Sequence, residues 1–367
     1  MKKRLFSLLL VSALVFTLSG CGEKSLLRES DPVTLNFWHV YGEQSGSPMD
    51  LLVQEFNRTV GQEKGVRVQV TNLSSASKIG GFLKEAQKGG RDAPEMPDLF
   101  TCHISDATAL GSDNLVDWNA WFTAEELSNF VPGFLADGMT EDGTLLLFPI
   151  SKSTQLLMCN GSGFARSLAQ GHVVVSDLYS NTQVMTGDVL SGLGSSAAIL
   201  YYNDTVTYRD GTQEPMDLHV LPMPKTAGAD ALMTQAGVGL CAYKTTDQKA
   251  EAAALFVRWL TESERNLDFV AQTGYMPVRN GAFDAIENYD KFPEPTESYR
   301  QLYAALKIMQ ESYTPLSEPR FEGYYGKVSQ LYDGLRQMQQ ELPARAAAGE
   351  SIDTLAEETW ALLCAIH

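Results

Sequence analysis

Cysteine is scarce in this chain and makes no pattern. Five cysteines are spread over 367 residues, with no C-x-x-C pair. That spacing excludes a zinc knuckle and a thioredoxin-type redox pair. Cys21 closes the N-terminal apolar run, which leaves Cys102, Cys159, Cys241 and Cys364. One disulfide among these four stays open, and buried free thiols are the expectation. Histidine is equally thin: there are five, with no H-E-x-x-H, and the adjacent Cys102 and His103 would point to opposite faces of a strand. Neither a metal nor a cofactor is expected. Positive charge is also short, 28 Lys and Arg against 45 Asp and Glu. Nucleic acid needs a basic footprint, so that class of partner is excluded. An anionic small ligand is not, because a few local donors override a diffuse distant charge. The chain lacks a Walker lysine loop, a G-x-S-x-G elbow and a complete G-x-G-x-x-G. No enzyme is expected, although the many carboxylates keep a surface glycoside-active enzyme as the rival class.

Long apolar runs are missing too, with one exception. Lys2, Lys3 and Arg4 precede a mostly apolar stretch from Leu5 to Leu18. It is short for a membrane-spanning helix and has the layout of an export signal. It ends in Leu18-Ser19-Gly20-Cys21, which resembles the bacterial lipobox. That resemblance implies cleavage before Cys21 and attachment of lipid to its sulfur. Residues 1–20 would then be the signal and 21–30 a tether, with the chain held extracytoplasmically on a membrane, at the cell surface or in the periplasm. The other reading is an ordinary secretory signal with an accidental cysteine. Removing residues 1–20 from 367 leaves 347, enough for about two domains.

Beyond residue 30 the chain carries an α/β pattern without internal repeats. "VTLNFW" (33–38) alternates as a strand with Val33, Leu35 and Phe37 on one face. A helix starts at Ser47 as N-cap and Pro48, burying Met49, Leu52, Val53 and Phe56. "VRVQV" (66–70) is a second strand, a helix is expected over 77–88, and "MPDLFTCHI" enters a third strand. This order predicts an α/β layer with a mostly parallel sheet. Residues 113–144 read as helical, and short strands are expected at 173–175, 197–202 and 218–221. "QAGVGLCAY" is a further strand, then Thr245 and Gln248 form a capping box opening a helix that buries Leu255, Phe256, Trp259 and Leu260. Thr261 and Glu264 form a second box, and helices are expected over 298–313, 324–342 and 352–366.

Several motifs stand in order along the chain: "FWHVYG", "LVQEFN", "PDLF", "FPISKSTQLLMCN", "GVGLCAY" and "TGYMPVR". Together they resemble the extracellular solute-binding proteins (family 1) of ABC importers, of the sugar and glycerol-3-phosphate-binding type. The resemblance implies a two-lobed, periplasmic-binding-protein-like fold (type II) joined by hinge crossovers. It implies lobe one at 31–145 and 235–313 and lobe two at 146–234 and 314–367, the chain leaving near 146, returning near 235 and leaving again near 314. It also implies a function: capture of a sugar, polyol or glycerol phosphoester by lobe closure, and delivery to ABC permease subunits. A structural lipoprotein that kept the fold without transport is a further alternative.

A polyol needs hydroxyl, amide and carboxylate partners and an aromatic platform. "FWHVYGE" places Trp38, His39, Tyr41 and Glu43 past the carboxyl end of a strand, where open α/β sheets bind ligands. Trp38 reads equally as core, and the resemblance favours the cleft, most strongly for Tyr41. In "SKST", Ser151 and Ser153 share one side of an extended segment and Lys152 and Thr154 the other. A polar hinge strand is the plain alternative; the resemblance puts Ser153 first and Ser151 second as ligand contacts. Ser195 and Ser196, after Gly192 and Gly194, offer free amides to an anionic oxygen or simply make a tight turn. Gly237 and Gly239 raise the same choice. The resemblance carries a ligand-facing ring to Tyr275 in "TGYMP" and a phosphate clamp to Arg320, for which a surface arginine is the alternative. Finally, only Ala165–His172 separate Phe164 from the strand-like Val173, where full-size relatives carry a long helical block. Lobe two is therefore expected to be reduced, with weak binding or marginal folding.

Overall fold

The computed structural model describes residues 25–42, 46–73, 76–160, 179–225, 228, 230–294, 296–321 and 324–350. In chain order, strand β1 (Val33–His39) leads to helix α1 (Pro48–Arg58), β2 (Val66–Asn72), α2 (Ala76–Lys88) and β3 (Leu99–Cys102). Helix α3 (Pro132–Asp137) precedes the strands β4 (Gln155–Asn160), β5 (Ser191–Ser195), β6 (Thr205–Thr207), β7 (Gln213–Pro215) and β8 (Leu218–Leu221). Then come β9 (Leu232–Gln235), β10 (Gly239–Ala242), α4 (Asp247–Leu260), α5 (Ser263–Ala271), α6 (Thr296–Ser312), β11 (Thr314–Ser317) and α7 (Tyr324–Ala347).

Two sheets organise the chain. The first has the order β10-β3-β1-β2. β2 and β3 flank β1 in parallel, and β10 closes the edge antiparallel to β3, so the expected mostly parallel layer has one reversed strand. Alternation along β1 drives its packing: Val33, Leu35 and Phe37 are buried on one face with Phe56 and Phe256, whose rings stand edge-on. The second sheet, β5-β4-β8, is antiparallel. Between them, β9 and β11 pair in parallel as a two-stranded ribbon.

Strand β9 follows the second sheet and leads to β10 of the first, and β11 pairs alongside it in parallel. Val278 O accepts from Val131 N, and Asn280 N donates to Asn129 O. Helix α6 packs on β8, where Gln301 Oε1 accepts from Val220 N at 3.1 Å, and it also reaches α5, where the Tyr303 hydroxyl donates to Val270 O at 2.7 Å. Its buried stripe of Tyr299, Leu302, Tyr303, Leu306 and Met309 supplies the apolar face for that packing.

Local expectations fared unevenly. Ser47 caps α1, accepting from Asp50 N, with Pro48 at the first position. Helix α4 buries Phe256, Trp259 and Leu260, but its cap is Thr246, one residue after Thr245. Thr261 does not cap α5, whose N-cap is Glu262; its hydroxyl donates back to Val257 O instead. Residues 197–202, expected as a strand, lie mostly in a 3-10 turn over Ser196–Tyr201, directly after β5. The 113–144 region forms only short helices around Trp118, Phe122, Phe130 and Phe134, whose rings fill the core instead of a long helix face. The signal, Cys21, the strand at 173–175, the shortened stretch after Phe164 and the helix at 352–366 lie outside the described residues.

Candidate functional site at the lobe crossover

Residues 150–154, expected as a crossover, follow Phe148, which pairs with Leu240 of β10, and lead into β4 of the second sheet. The segment is extended between two neighbours: Lys152 N donates to Met276 O at 3.2 Å on one side, and Ser153 exchanges two 3.0 Å backbone bonds with Ala236 on the other. Asn266 fixes its start, Nδ2 donating to Ile150 O at 2.7 Å while Oδ1 accepts from Val278 N at 3.0 Å. The segments around Ala236, Asn266 and Met276 are thereby tied to this strand.

Side chains alternate as an extended segment requires. Ser151 turns to Tyr41, with hydroxyl oxygens 3.0 Å apart. Tyr41 is buried and stands edge-on to Phe269 and Tyr275, at 5.1 and 6.0 Å between ring centres. Burial, with Tyr275 adding, pushes its hydroxyl far above the ordinary tyrosine range, while the Ser151 hydrogen bond opposes the rise, so it stays protonated. Lys152 points the other way and forms a buried ion pair with Asp137 at the end of α3. Ser153 is buried beside Gly237, whose φ of +105° requires glycine there. Ser196 N donates to Thr154 O at 2.8 Å, bringing the turn after β5 to the same place. The side-chain oxygens of Thr154 and Ser196 are buried without a hydrogen-bond partner among the described residues. Gly274, at φ +68°, sits so close that a Cβ would lie 2.9 Å from Ser196 O, which seats the Tyr275 loop directly on that turn.

The structure thus gathers Tyr41, Ser151, Ser153, Ser196, Gly237 and Tyr275. Ser195 stands next to them, but its hydroxyl accepts from Ala197 N at 3.3 Å and caps the turn. Two candidates lie elsewhere. Trp38 is half-buried on the opposite face of β1 from Phe37, packed on the cluster that includes Ile79, Leu83 and Phe100. Arg320 places its guanidinium on the carbonyls of Ala136, Asp137 and Met139, at the C-terminal end of α3. A cation there satisfies the helix's open carbonyls, and its fork is not directed as a phosphate clamp. Gly192 and Gly194 lie against Ser180, and Gly239 against Leu147.

Sequence reasoning missed three participants, Asp137, Gln235 and His103, and named a fourth, His39. Asp137 sits 15 residues before Lys152; a lone lysine between apolar runs signals that some carboxylate must meet it, but not which. Gln235 links β9 to β11 and α3, Nε2 donating to Ser317 Oγ at 3.3 Å and to Gly133 O at 3.2 Å. His103, just past the carboxyl end of β3, lies 4.0 Å from Glu318 and is held down to about 4 by burial, with Lys152 adding and Asp137 opposing. His39 accepts from Tyr41 N rather than facing solvent.

Known proteins share this fold. Residues 164–294 match the family model described as bacterial extracellular solute-binding protein. The cyclic α-maltosyl-1,6-maltose binding protein of Arthrobacter globiformis superposes with a TM-score of 0.64 at 14% identity, over 92% of this chain and 99% of that one. UgpB of Mycobacterium tuberculosis, in complex with glycerophosphocholine, gives 0.63 at 16% identity, over 92% and 98%. The fold is that of the extracellular solute-binding proteins. The sugar-binding MalE of Xanthomonas citri agrees, at 0.60 and 13% identity over 91% and 97%. The two-lobed architecture and the family resemblance drawn from the motifs are both borne out. The matched family and these neighbours are binding proteins rather than enzymes. No curated protein matches the chain. Among the described residues, no helix is long and apolar enough to cross a membrane.

Proposed function

We propose that this chain is the extracytoplasmic, lipid-anchored binding component of an ABC importer and captures an uncharged polyhydroxylated ligand, a sugar or oligosaccharide. Ligand would bridge the lobes at the 150–154 crossover, stabilise the closed form and so present the surface a permease recognises. The carrying observation is the convergence of Tyr41, Ser151, Ser153, Ser196 and Tyr275 on one crossover, with the Thr154 and Ser196 oxygens buried and unpartnered among the described residues. Such oxygens suit a ligand rich in hydroxyls, since buried polar atoms are normally satisfied. The neutral ligand is favoured over a glycerol phosphoester because the nearby cations are committed: Lys152 to Asp137, and Arg320 to backbone carbonyls. The sugar-binding and glycerophosphocholine-binding neighbours bracket the same choice. Cys21 would carry the lipid. A thermal-shift panel of maltose, maltotriose, glycerol-3-phosphate and glycerophosphocholine tests the reading, because a ligand that binds the folded state raises its melting temperature. A shift with the saccharides, weakened in Tyr41→Ala, is expected; a shift confined to the phosphoesters would overturn the neutral assignment.

A further inference from the structure

Tyr41 is held in place by an unusual degree of backbone clamping, and the clamp involves a titratable group. Its N–H donates to Nδ1 of His39 at 3.2 Å. Its C=O accepts from Ser47 Oγ at 2.6 Å, the same hydroxyl that caps α1 by accepting from Asp50 N at 3.3 Å. Since Nδ1 accepts, the ring's proton must sit on Nε2, and Nε2 faces Asp50 Oδ1 at 2.8 Å. Asp50 thus selects the tautomer, His39 turns that choice into an acceptor, and Tyr41 is oriented by it. His39 is fully buried, between the rings of Phe37 and Tyr41.

We propose that His39, with Asp50 behind it, is a positioning residue that holds Tyr41 in its ligand-ready orientation and releases it when the imidazole is protonated. The inference rests on the reading of Tyr41 as a ligand contact. Protonation would turn Nδ1 into a donor facing the Tyr41 N–H, replacing a hydrogen bond by two opposed donors. Asp50 on α1 is the charged group that acts on His39; its hydrogen bond and charge favour the imidazolium, while burial disfavours it more strongly and keeps the ring neutral. Among the described residues, the rings packed on it, Phe37 and Tyr41, carry no charge at these pH values. A loss of grip on Tyr41 would then accompany acidification, with the aromatic cluster of Tyr41, Phe269 and Tyr275 as its readout.

Two substitutions separate this role from simple packing. In His39→Asn the side-chain oxygen stands near the place of Nδ1, keeps an acceptor for Tyr41 N–H and cannot titrate. In His39→Leu no acceptor remains. Maltotriose affinity should fall about tenfold in His39→Leu and stay close to wild type in His39→Asn at neutral pH. As pH falls below about 6.5, wild-type affinity should weaken while His39→Asn stays flat. Equal losses in both variants, or the same acid weakening in wild type and His39→Asn, would overturn the proposal. Nitrogen NMR of the free full chain gives an arm that needs no ligand. It should show His39 as the Nε2–H tautomer at neutral pH and a Tyr41 amide that shifts on acidification in wild type only. An Nδ1–H tautomer, or an identical amide shift in His39→Asn, would refute the clamp. Failure of every ligand to bind, with the NMR result intact, would instead count against the proposed function.

Discussion

Lys152 and Asp137 form an ion pair shut away from water, with side chains 1% and 8% exposed. The pair ties the 150–154 strand to the end of α3. Removing one partner leaves a charge buried without compensation, which costs far more than the pair's net worth. Lys152→Met should therefore destabilise the chain by about 3–5 kcal/mol in urea unfolding, and Lys152→Met with Asp137→Leu should recover most of that loss. If the double variant is as unstable as the single one, the pair is not acting as a compensated unit.

Arg320 sits on the same helix end, donating to Ala136 O at 3.2 Å and Asp137 O at 3.0 Å. Arg320→Ala should cost about 1 kcal/mol of stability, and Arg320→Lys should restore only part of it, since a point charge cannot serve several carbonyls as a planar fork does. Glycerophosphocholine and maltotriose should lose affinity equally in Arg320→Ala. A loss confined to the phosphodiester in titration calorimetry would return Arg320 to the role of a phosphate clamp.

The architecture was legible wherever a residue's neighbours in sequence are also its neighbours in space. Val33, Leu35 and Phe37 announced β1 by alternation, and Ser47-Pro48 announced α1 by capping chemistry. The pairing of β11 was not legible, because "TPLS" carries no signal of its partner; its parallel register with Leu232–Gln235 joins segments 82 residues apart. In the site, Ser151 and Tyr41 were each visible as hydroxyl donors, yet their contact spans 110 residues and depends on where the first sheet ends. Trp38 was not legible for a related reason. A tryptophan one residue from a strand's end faces either the cleft or a second packed layer, and the layer made by Ile79, Leu83 and Phe100 is built from distant parts of the chain.

His103 makes stability depend on acidity with a definite sign. Its imidazole is lowered from 6.5 to about 4, chiefly by burial, so the folded chain binds fewer protons than the unfolded one between those values. Stability is then fully present above about pH 6.5 and declines as pH falls towards about 4, with a ceiling of about 3 kcal/mol from this group. His39 is lowered too and acts with the same sign, whereas Asp106, raised by burial, acts against it. Urea midpoints measured at about pH 7 and about pH 4.5 should differ less in His103→Gln than in wild type. Equal differences would place the acid sensitivity in other groups.

Cys102 and Cys241 lie on β3 and β10 with sulfurs 3.7 Å apart, both fully buried, and both are free thiols as the sequence led one to expect. A disulfide needs sulfurs about 2.05 Å apart, so the two are in contact without being bonded. Burial and the neighbouring sulfur push the Cys102 thiol well up, and the Cys241 thiol donates to Leu146 O at 3.0 Å. Reaction needs the thiolate and access, and neither is provided here. Mass-spectrometric mapping should find both residues unlabelled by a maleimide in native buffer and both labelled once the chain is unfolded without reductant. Rapid native labelling would mean that the β3–β10 edge opens readily. Protection that persists in denaturant until a reductant is added would mean that the pair is oxidised, which would staple β3 to its antiparallel neighbour β10 in the first sheet.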